Sequence, residues 1–142
     1  MPLPFHTFAA DLTSADLPDD VLRVLRRSFT DTMGVAAVAS TTAMADIARR
    51  GAVALFGPGG AGGARILMNG QLVSPAGAAM AGAFTVDAVD AHDGTSPCKG
   101  HAGSAVFPAL LAMADVAENP MNGAEFAALL AVAYEVSYRA GL

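Results

Sequence analysis

One stretch of this chain differs chemically from everything around it. Asp90-Ala91-His92-Asp93-Gly94-Thr95-Ser96-Pro97-Cys98-Lys99-Gly100-His101 holds the only lysine, the only cysteine and two of the three histidines in 142 residues. Asp87 stands one helical turn before it. An imidazole exchanges protons near neutral pH. A neighbouring carboxylate orients it or accepts a proton, and the lysine ammonium pairs with a carboxylate on another molecule. Together these groups fit acid–base chemistry on a small anionic substrate. Asp87 and Asp90 also fall at the C-terminal end of an expected helix, where negative charge opposes the macrodipole at about 0.3–1 kcal/mol each when exposed. Stability alone does not select that placement. The plain alternative is a solvated polar loop.

Other chemistries fit the same residues less well. His92, Asp93, Cys98 and His101 offer ligand atoms, but their spacing matches no standard zinc pattern, so no metal is expected. Cys98 with His101 as its base lacks any local protease signature and reads as an inert thiol. Gly57 to Gly62 satisfies G-x-G-x-x-G, yet a helix precedes it and none opens on it, and the Lys-Ser/Thr ending of a phosphate loop is missing. It reads as a connector, and no cofactor is expected.

The elements that must position the loop follow from composition and pattern. Apolar residues make up 54% and charged residues 15%, which excludes disorder and fits one helical domain. A net charge of −5 argues against nucleic acid or an anionic membrane as partner. A single cysteine excludes an intrachain disulfide and fits a reducing, cytoplasmic setting. The first ten residues carry no basic side chain and too short an apolar stretch for a secretory signal. The charge-free run from Ile66 to Val86 contains Asn69, Gln71, Ser74 and Pro75, which do not suit a membrane helix.

The expected fold is all-α, with one small β-hairpin over residues 64–73. A short helix covers Phe5 to Leu12. A long one starts within Asp16 to Asp20 and runs to about Ser40, with Val21, Leu25, Phe29 and Met33 on one face and Asp19 and Arg23 placed for an exposed pair. The arginine pairs Arg26-Arg27 and Arg49-Arg50 are expected on solvated faces. Thr42 to Phe56 forms another helix. Asn69-Gly70 turns the hairpin. Ser74-Pro75 caps a helix to about Asp90, rich in alanine and glycine and therefore expected at the centre. A loop spans Ala91 to Gly103. A helix starting between Ser104 and Pro108 then runs to Glu118, and Asn122 with Glu125 forms a capping box for a last helix, Gly123 to Arg139.

Taken in order, several segments resemble the N-terminal part of the MmgE/PrpD family, which includes 2-methylcitrate dehydratase, cis-aconitate decarboxylase and iminodisuccinate epimerase. Leu25 to Ala39 (LRRSFTDTMGVAAVA) is similar to the family's first long helix, and Val73 to Gly82 (VSPAGAAMAG) to the segment leading into the active-site helix. Asp90 to Gly103 (DAHDGTSPCKGHAG) resembles its aspartate-rich loop ending in His-Pro-Gly. Ala105 to Asp115 and Tyr134 to Gly141 (YEVSYRAG) are similar to the helices that follow.

The resemblance implies a helical domain carrying the site, a separate α+β lid, a homodimer, no metal, and proton abstraction beside a carboxylate of a small di- or tricarboxylic acid. It implies a match of Asp90 and Asp93 to the loop aspartates and of His101 to the active-site histidine. His101 is then the expected proton-transfer group, with Asp90 and Asp93 orienting it. Lys99, by its charge, is the expected substrate-carboxylate contact, with Thr95 and His92 beside it. The family often has Asp-Asp-Thr-His where this chain has His92-Asp93-Gly94-Thr95. Family members continue far beyond the position of Leu142. The expectation is therefore a partial helical domain, residues 1–142, with little turnover alone because a site without a lid does not exclude water. Apolar faces left open predict a homo-oligomer or a further chain as partner. The rival expectation is a catalytically silent helical module for dimerisation or partner binding.

Overall fold

A computed structural model of the chain describes residues 5–57 and 62–142. Most of the Gly57–Gly62 segment, with its G-x-G-x-x-G pattern, lies outside the described residues. Among these, six helices account for the architecture: α1 (Phe5–Asp11), α2 (Asp19–Ala39), α3 (Ala43–Phe56), α4 (Pro75–Asp87), α5 (Ala102–Asp115) and α6 (Gly123–Gly141). Two antiparallel strand pairs accompany them: β1 (Ala64–Arg65) with β2 (Leu72–Val73), and β3 (Gly94–Thr95) with β4 (Gly100–His101). The chain is mostly helical, as its patterning predicts. No described helix is long and apolar enough to cross a membrane.

Local signals set most boundaries. Thr13 and Asp16 bond reciprocally around a single 3-10 turn before α2, and Asp19 and Asp20 occupy the first turn of α2, where they complement the helix dipole. The Thr42 hydroxyl accepts from the Ala45 N–H at 3.2 Å and caps α3. Ser74 accepts from the Gly77 N–H at 3.3 Å, with Pro75 in the first turn of α4. Asn122 and Glu125 form the expected capping box on α6. The first hairpin turns through Met68 at φ 59° and Gly70 at φ 79°.

α4 is the centre of the domain. Gly77, Ala78, Ala81, Gly82, Thr85 and Val86 are all buried and form one broad face covering about half the circumference of the helix. A Cβ on Gly82 would lie 2.6 Å from Pro108 Cβ of α5, and one on Gly77 would lie 2.9 Å from Phe56 Cβ of α3. Small residues let both neighbours approach closely. One core joins α3, α4, α5 and the first hairpin through Ala52, Ile66, Val73, Ala81 and Ala112. The other joins α2, α5 and α6 through Leu25, Val106, Phe107, Leu130 and Tyr134. Phe107 meets Tyr134 edge-on, with ring centroids 6.1 Å apart. Arg65 fastens the first hairpin to the end of α5: its backbone N–H donates to Asp115 Oδ2 at 2.7 Å and its Nε to Oδ1 at 2.9 Å.

Several expectations change. α4 stops at Asp87, and Asp90 follows in a turn at φ 55° instead of extending the helix. The stretch expected as an irregular loop contains the β3–β4 pair, and α5 begins earlier, at Ala102. Pro108 therefore lies inside α5, where its ring packs against Gly82 and that contact offsets the backbone hydrogen bond that proline cannot make. α5 ends at Asp115, held by Arg65. Phe29 lies on the expected inner side of α2 and touches the rings of Phe107 and Phe126, although the buried positions on that helix are Leu25, Thr32, Ala36 and Ala39. Arg26, Arg27 and Arg50 are exposed as expected, whereas Arg49 is half-buried; Arg49 and Arg50 both pair with Asp46, at 3.0 and 3.1 Å. The Asp19–Arg23 pair is not among the ion pairs of the described residues.

Gly82→Ala should destabilise the domain by about 1–3 kcal/mol, because overpacking against a rigid proline ring outweighs the improved helix propensity. Gly51→Ala in α3, where a Cβ meets open space, should stabilise by about 0.5–1 kcal/mol. Urea unfolding of both variants checks the opposite signs. The Arg65 guanidinium and N–H hold the Asp115 carboxyl below its ordinary value. Stability from a depressed carboxyl is present above its unfolded pKa and is lost as pH falls through the folded one. Asp115→Asn should therefore lower the urea midpoint at neutral pH, and the gap from wild type should close on acidification.

Candidate active site

α4 and α5 pack side by side, so the end of one and the start of the other lie together. The chain between them must reverse within residues 88–101. It does so with three non-glycine residues in the left-handed region, Asp90, Asp93 and Lys99, at φ 55°, 61° and 50°. Aspartate tolerates this conformation better than most residues. The reversal turns neighbouring side chains in different directions and creates two separate clusters.

The first cluster is built on the α4 terminus. His92 is tucked in, with 9% of its side chain exposed, and its Nε2 lies 2.9 Å from Asp90 Oδ1 and 3.4 Å from Asp87 Oδ1. His101, at the start of α5, stacks on it with ring centroids 3.6 Å apart and planes 16° from parallel. His101 Nδ1 lies 3.8 Å from Asp87 Oδ1, and 49% of its side chain is exposed. The ring lies over Gly94, its partner across the β3–β4 pair.

The second cluster centres on Asp93. Asp93 Oδ2 accepts from the Ser28 hydroxyl of α2 at 2.8 Å and from the Tyr134 hydroxyl of α6 in a short hydrogen bond. Ser28 Oγ and Tyr134 Oη are themselves 2.6 Å apart. A Cβ on Gly103 would fall 2.6 Å from Asp93 Cβ, so glycine is required there for the carboxylate to reach its partners. Burial first, then the Asp93 carboxylate, pushes the Tyr134 phenol well above its ordinary value and keeps it protonated. Asp93, Ser28 and Tyr134 line a groove of about 1340 Å³ along α2 and α6, and the two histidines are not part of its lining.

The loop residues singled out by sequence thus divide. Asp87, the residue one turn upstream, is the carboxylate beside the His101 imidazole. Asp90 faces His92, and Asp93 faces Ser28 and Tyr134. Lys99 is exposed and makes no ion pair among the described residues. Thr95 is half-buried in β3. Cys98 is partly buried where the end of α6 closes on the loop, since a Cβ on Gly141 would collide with the Cys98 carbonyl. Sequence reasoning missed Ser28 and Tyr134. Their only signal was membership of the two helical segments that resemble family members, because hydroxyl groups 106 positions apart carry no local pattern.

A family profile described as the MmgE/PrpD N-terminal domain matches residues 4–142. The chain belongs to this family. The comparisons with curated proteins and with solved structures give no match. The match spans both clusters and every helix of this MmgE/PrpD N-terminal domain.

Tyr134→Phe should destabilise this MmgE/PrpD domain by about 1.5–3 kcal/mol at neutral pH, the range for hydrogen bonds to charged groups. A phenol whose folded pKa is raised contributes stability that is full below its unfolded pKa of about 10 and is lost as pH rises further. The alkaline fall in stability should accordingly be shallower in Tyr134→Phe than in wild type when both are unfolded in urea at a series of alkaline pH values.

Proposed function

We propose that the chain carries the proton-transfer site of a lyase- or isomerase-type enzyme acting on a small di- or tricarboxylic acid. The reading rests above all on one observation: a half-exposed imidazole, His101, backed by the Asp87 carboxylate at the junction of two packed helices. A carboxylate behind an imidazole sets its orientation and stabilises the cation formed when it takes a proton. His101 takes the proton from the carbon next to a substrate carboxylate. Lys99, two residues earlier and exposed, binds a carboxylate of the same molecule, with Thr95 and His92 completing the contacts. Asp90 orients His92. Asp93, fixed by two hydroxyl groups, is a positioned acceptor at the groove side of the same loop. Family membership supports a lyase or dehydratase class of chemistry.

The lone cysteine fits a cytoplasmic setting. The apolar side chains exposed on α2 and α3, among them Val24, Val38, Ile47 and Leu55, fit assembly with a second copy as a homodimer.

Proton abstraction is read most directly by exchange of carbon-bound hydrogen for deuterium in heavy water, followed by proton NMR over a panel of di- and tricarboxylates. Wild type should exchange the hydrogen beside a carboxylate in at least one of them. His101→Ala should slow this by about 10²–10⁴-fold, the usual contribution of a positioned acid–base group. Asp87→Asn should slow it less, and Lys99→Ala should raise KM. Absence of exchange across the panel, or an unchanged rate in His101→Ala, would overturn the reading.

A further inference from the structure

We infer that the outer stripe of α3, formed by Met44, Ile47, Gly51 and Leu55, is a two-fold contact between two copies of this chain, crossing at Gly51. The contact is the surface of the homodimer proposed above and rests on that part of the reading alone, not on the proton-transfer site. A surface helix ordinarily turns its large apolar side chains inward and its charges outward. α3 does the reverse with its apolar residues. Its buried positions are Ala45, Ala48 and Ala52, whereas Met44, Ile47 and Leu55 are between 46% and 78% exposed. At 3.6 residues per turn, positions 44, 47, 51 and 55 fall on one stripe. None of the four is charged, and Asp46, Arg49 and Arg50 pair with one another on the other side of the helix.

A glycine inside a helix destabilises it relative to alanine, so its presence calls for a reason. Gly77 and Gly82 have one within the chain, because a Cβ there would collide with Phe56 or Pro108. At Gly51 a Cβ meets no atom of the described residues within 4 Å. Its use lies outside the chain, where an incoming backbone needs the space. Gly34 of α2 is equally open, but Thr30 and Asp31 border it, so it lacks the aliphatic flanks of Gly51.

A second copy fits this stripe because the stripe is its own complement. Ile47 and Leu55 stand four positions on either side of Gly51. In an antiparallel crossing on a two-fold axis, Gly51 meets its own copy, and Ile47 of each chain meets Leu55 of the other. That reciprocity is what an isologous interface requires. Two glycines at the crossing let the helix axes approach to the short end of the usual spacing of about 8–10 Å. Charge agrees with this. The chain carries −5, so two copies repel over most of their surface, whereas α3 holds two arginines and one aspartate. With Val38, just before the turn into α3, the exposed aliphatic residues present roughly 400–500 Å², against about 800 Å² per partner in a standard interface. That area suffices for the apolar centre of a contact whose rim is polar.

Sedimentation equilibrium of the full chain over a wide range of concentrations reads the contact directly. Wild type should dimerise by mass action. Leu55→Glu should weaken the dimer by at least about 30-fold, the loss expected of a residue central to an interface. Gly51→Ala should weaken it by about 10-fold, because a methyl group overpacks the crossing. The same substitution should raise the urea midpoint at a dilution where the chain is monomeric, and a purely intrachain role for Gly51 does not give these opposite signs. Met113→Glu, the same charge at an exposed apolar position of α5, should leave the dimer unchanged. A chain that stays monomeric at every concentration overturns the homodimer together with its contact. A dimer that keeps its affinity in both Leu55→Glu and Gly51→Ala, or that is lost equally in Met113→Glu, overturns the α3 contact and leaves the homodimer standing.

Discussion

The domain depends on the near-absence of side chains along the buried faces of α4. Alanine and glycine give a helix little apolar area of its own to bury, and each methylene foregone costs close to 0.8 kcal/mol of transfer free energy. The return comes from backbone proximity. Gly82 brings α4 within contact of Pro108, and Gly77 brings it within contact of Phe56, so two helices close on one narrow rod. Close-packed interiors lose dispersion contacts across even small gaps, which makes such a rod sensitive to any added atom. Pro108 belongs to the same arrangement: its ring fills the space that Gly82 leaves, and the helix accepts a missing hydrogen bond as part of the fit.

That closeness fixes where the chemistry can be. With α4 and α5 packed along their length, Asp87 at the end of one and His101 at the start of the other become neighbours although they stand fourteen positions apart in the sequence. The loop joining the two helices then has only a short distance to cover and too much chain to cover it. Its surplus is taken up by left-handed turns at Asp90, Asp93 and Lys99 and by a two-residue strand pair. Alternating turns send His92 toward α4 and Asp93 toward α2 and α6. One loop thereby serves two clusters.

The fold was largely legible because its signals are local. Thr42, Ser74 and Asn122 announce their helices through side chains that satisfy the first free N–H groups, and Asn69-Gly70 announces a turn. The small residues of α4 announced a central helix because only close neighbours give such a composition a purpose. Boundaries failed where tertiary contacts override propensity. Asp115 ends its helix against Arg65, a partner fifty positions away, and Pro108 is kept within α5 by Gly82. The site was legible as a set of residue types and not as a set of pairs. Composition concentrated two histidines, the lysine and two aspartates in one loop, but the backbone angles that turn Asp93 away from His101 leave no mark on a sequence of residue names. Asp87 could be seen as an oddly placed charge, and its partner could not.

A two-residue strand pair is too short to hold a catalytic loop by its ladder alone, since even longer isolated hairpins are marginal in water. The precision of this loop therefore comes from side chains that tie it to the helices. His92 ties it to α4 through Asp87, and Asp93 ties it to α2 and α6 through Ser28 and Tyr134. The end of α6 closes on it at Cys98, where only a glycine fits. These anchors all precede His101 in the loop, and they leave that one ring half-exposed and resting on a glycine. The arrangement is a fixed frame around one half-exposed imidazole. A group that must exchange protons with an incoming molecule needs freedom at its own torsions and rigidity in everything that surrounds it. The loop supplies the first, and the three helices, through Ser28, Asp87 and Tyr134, supply the second.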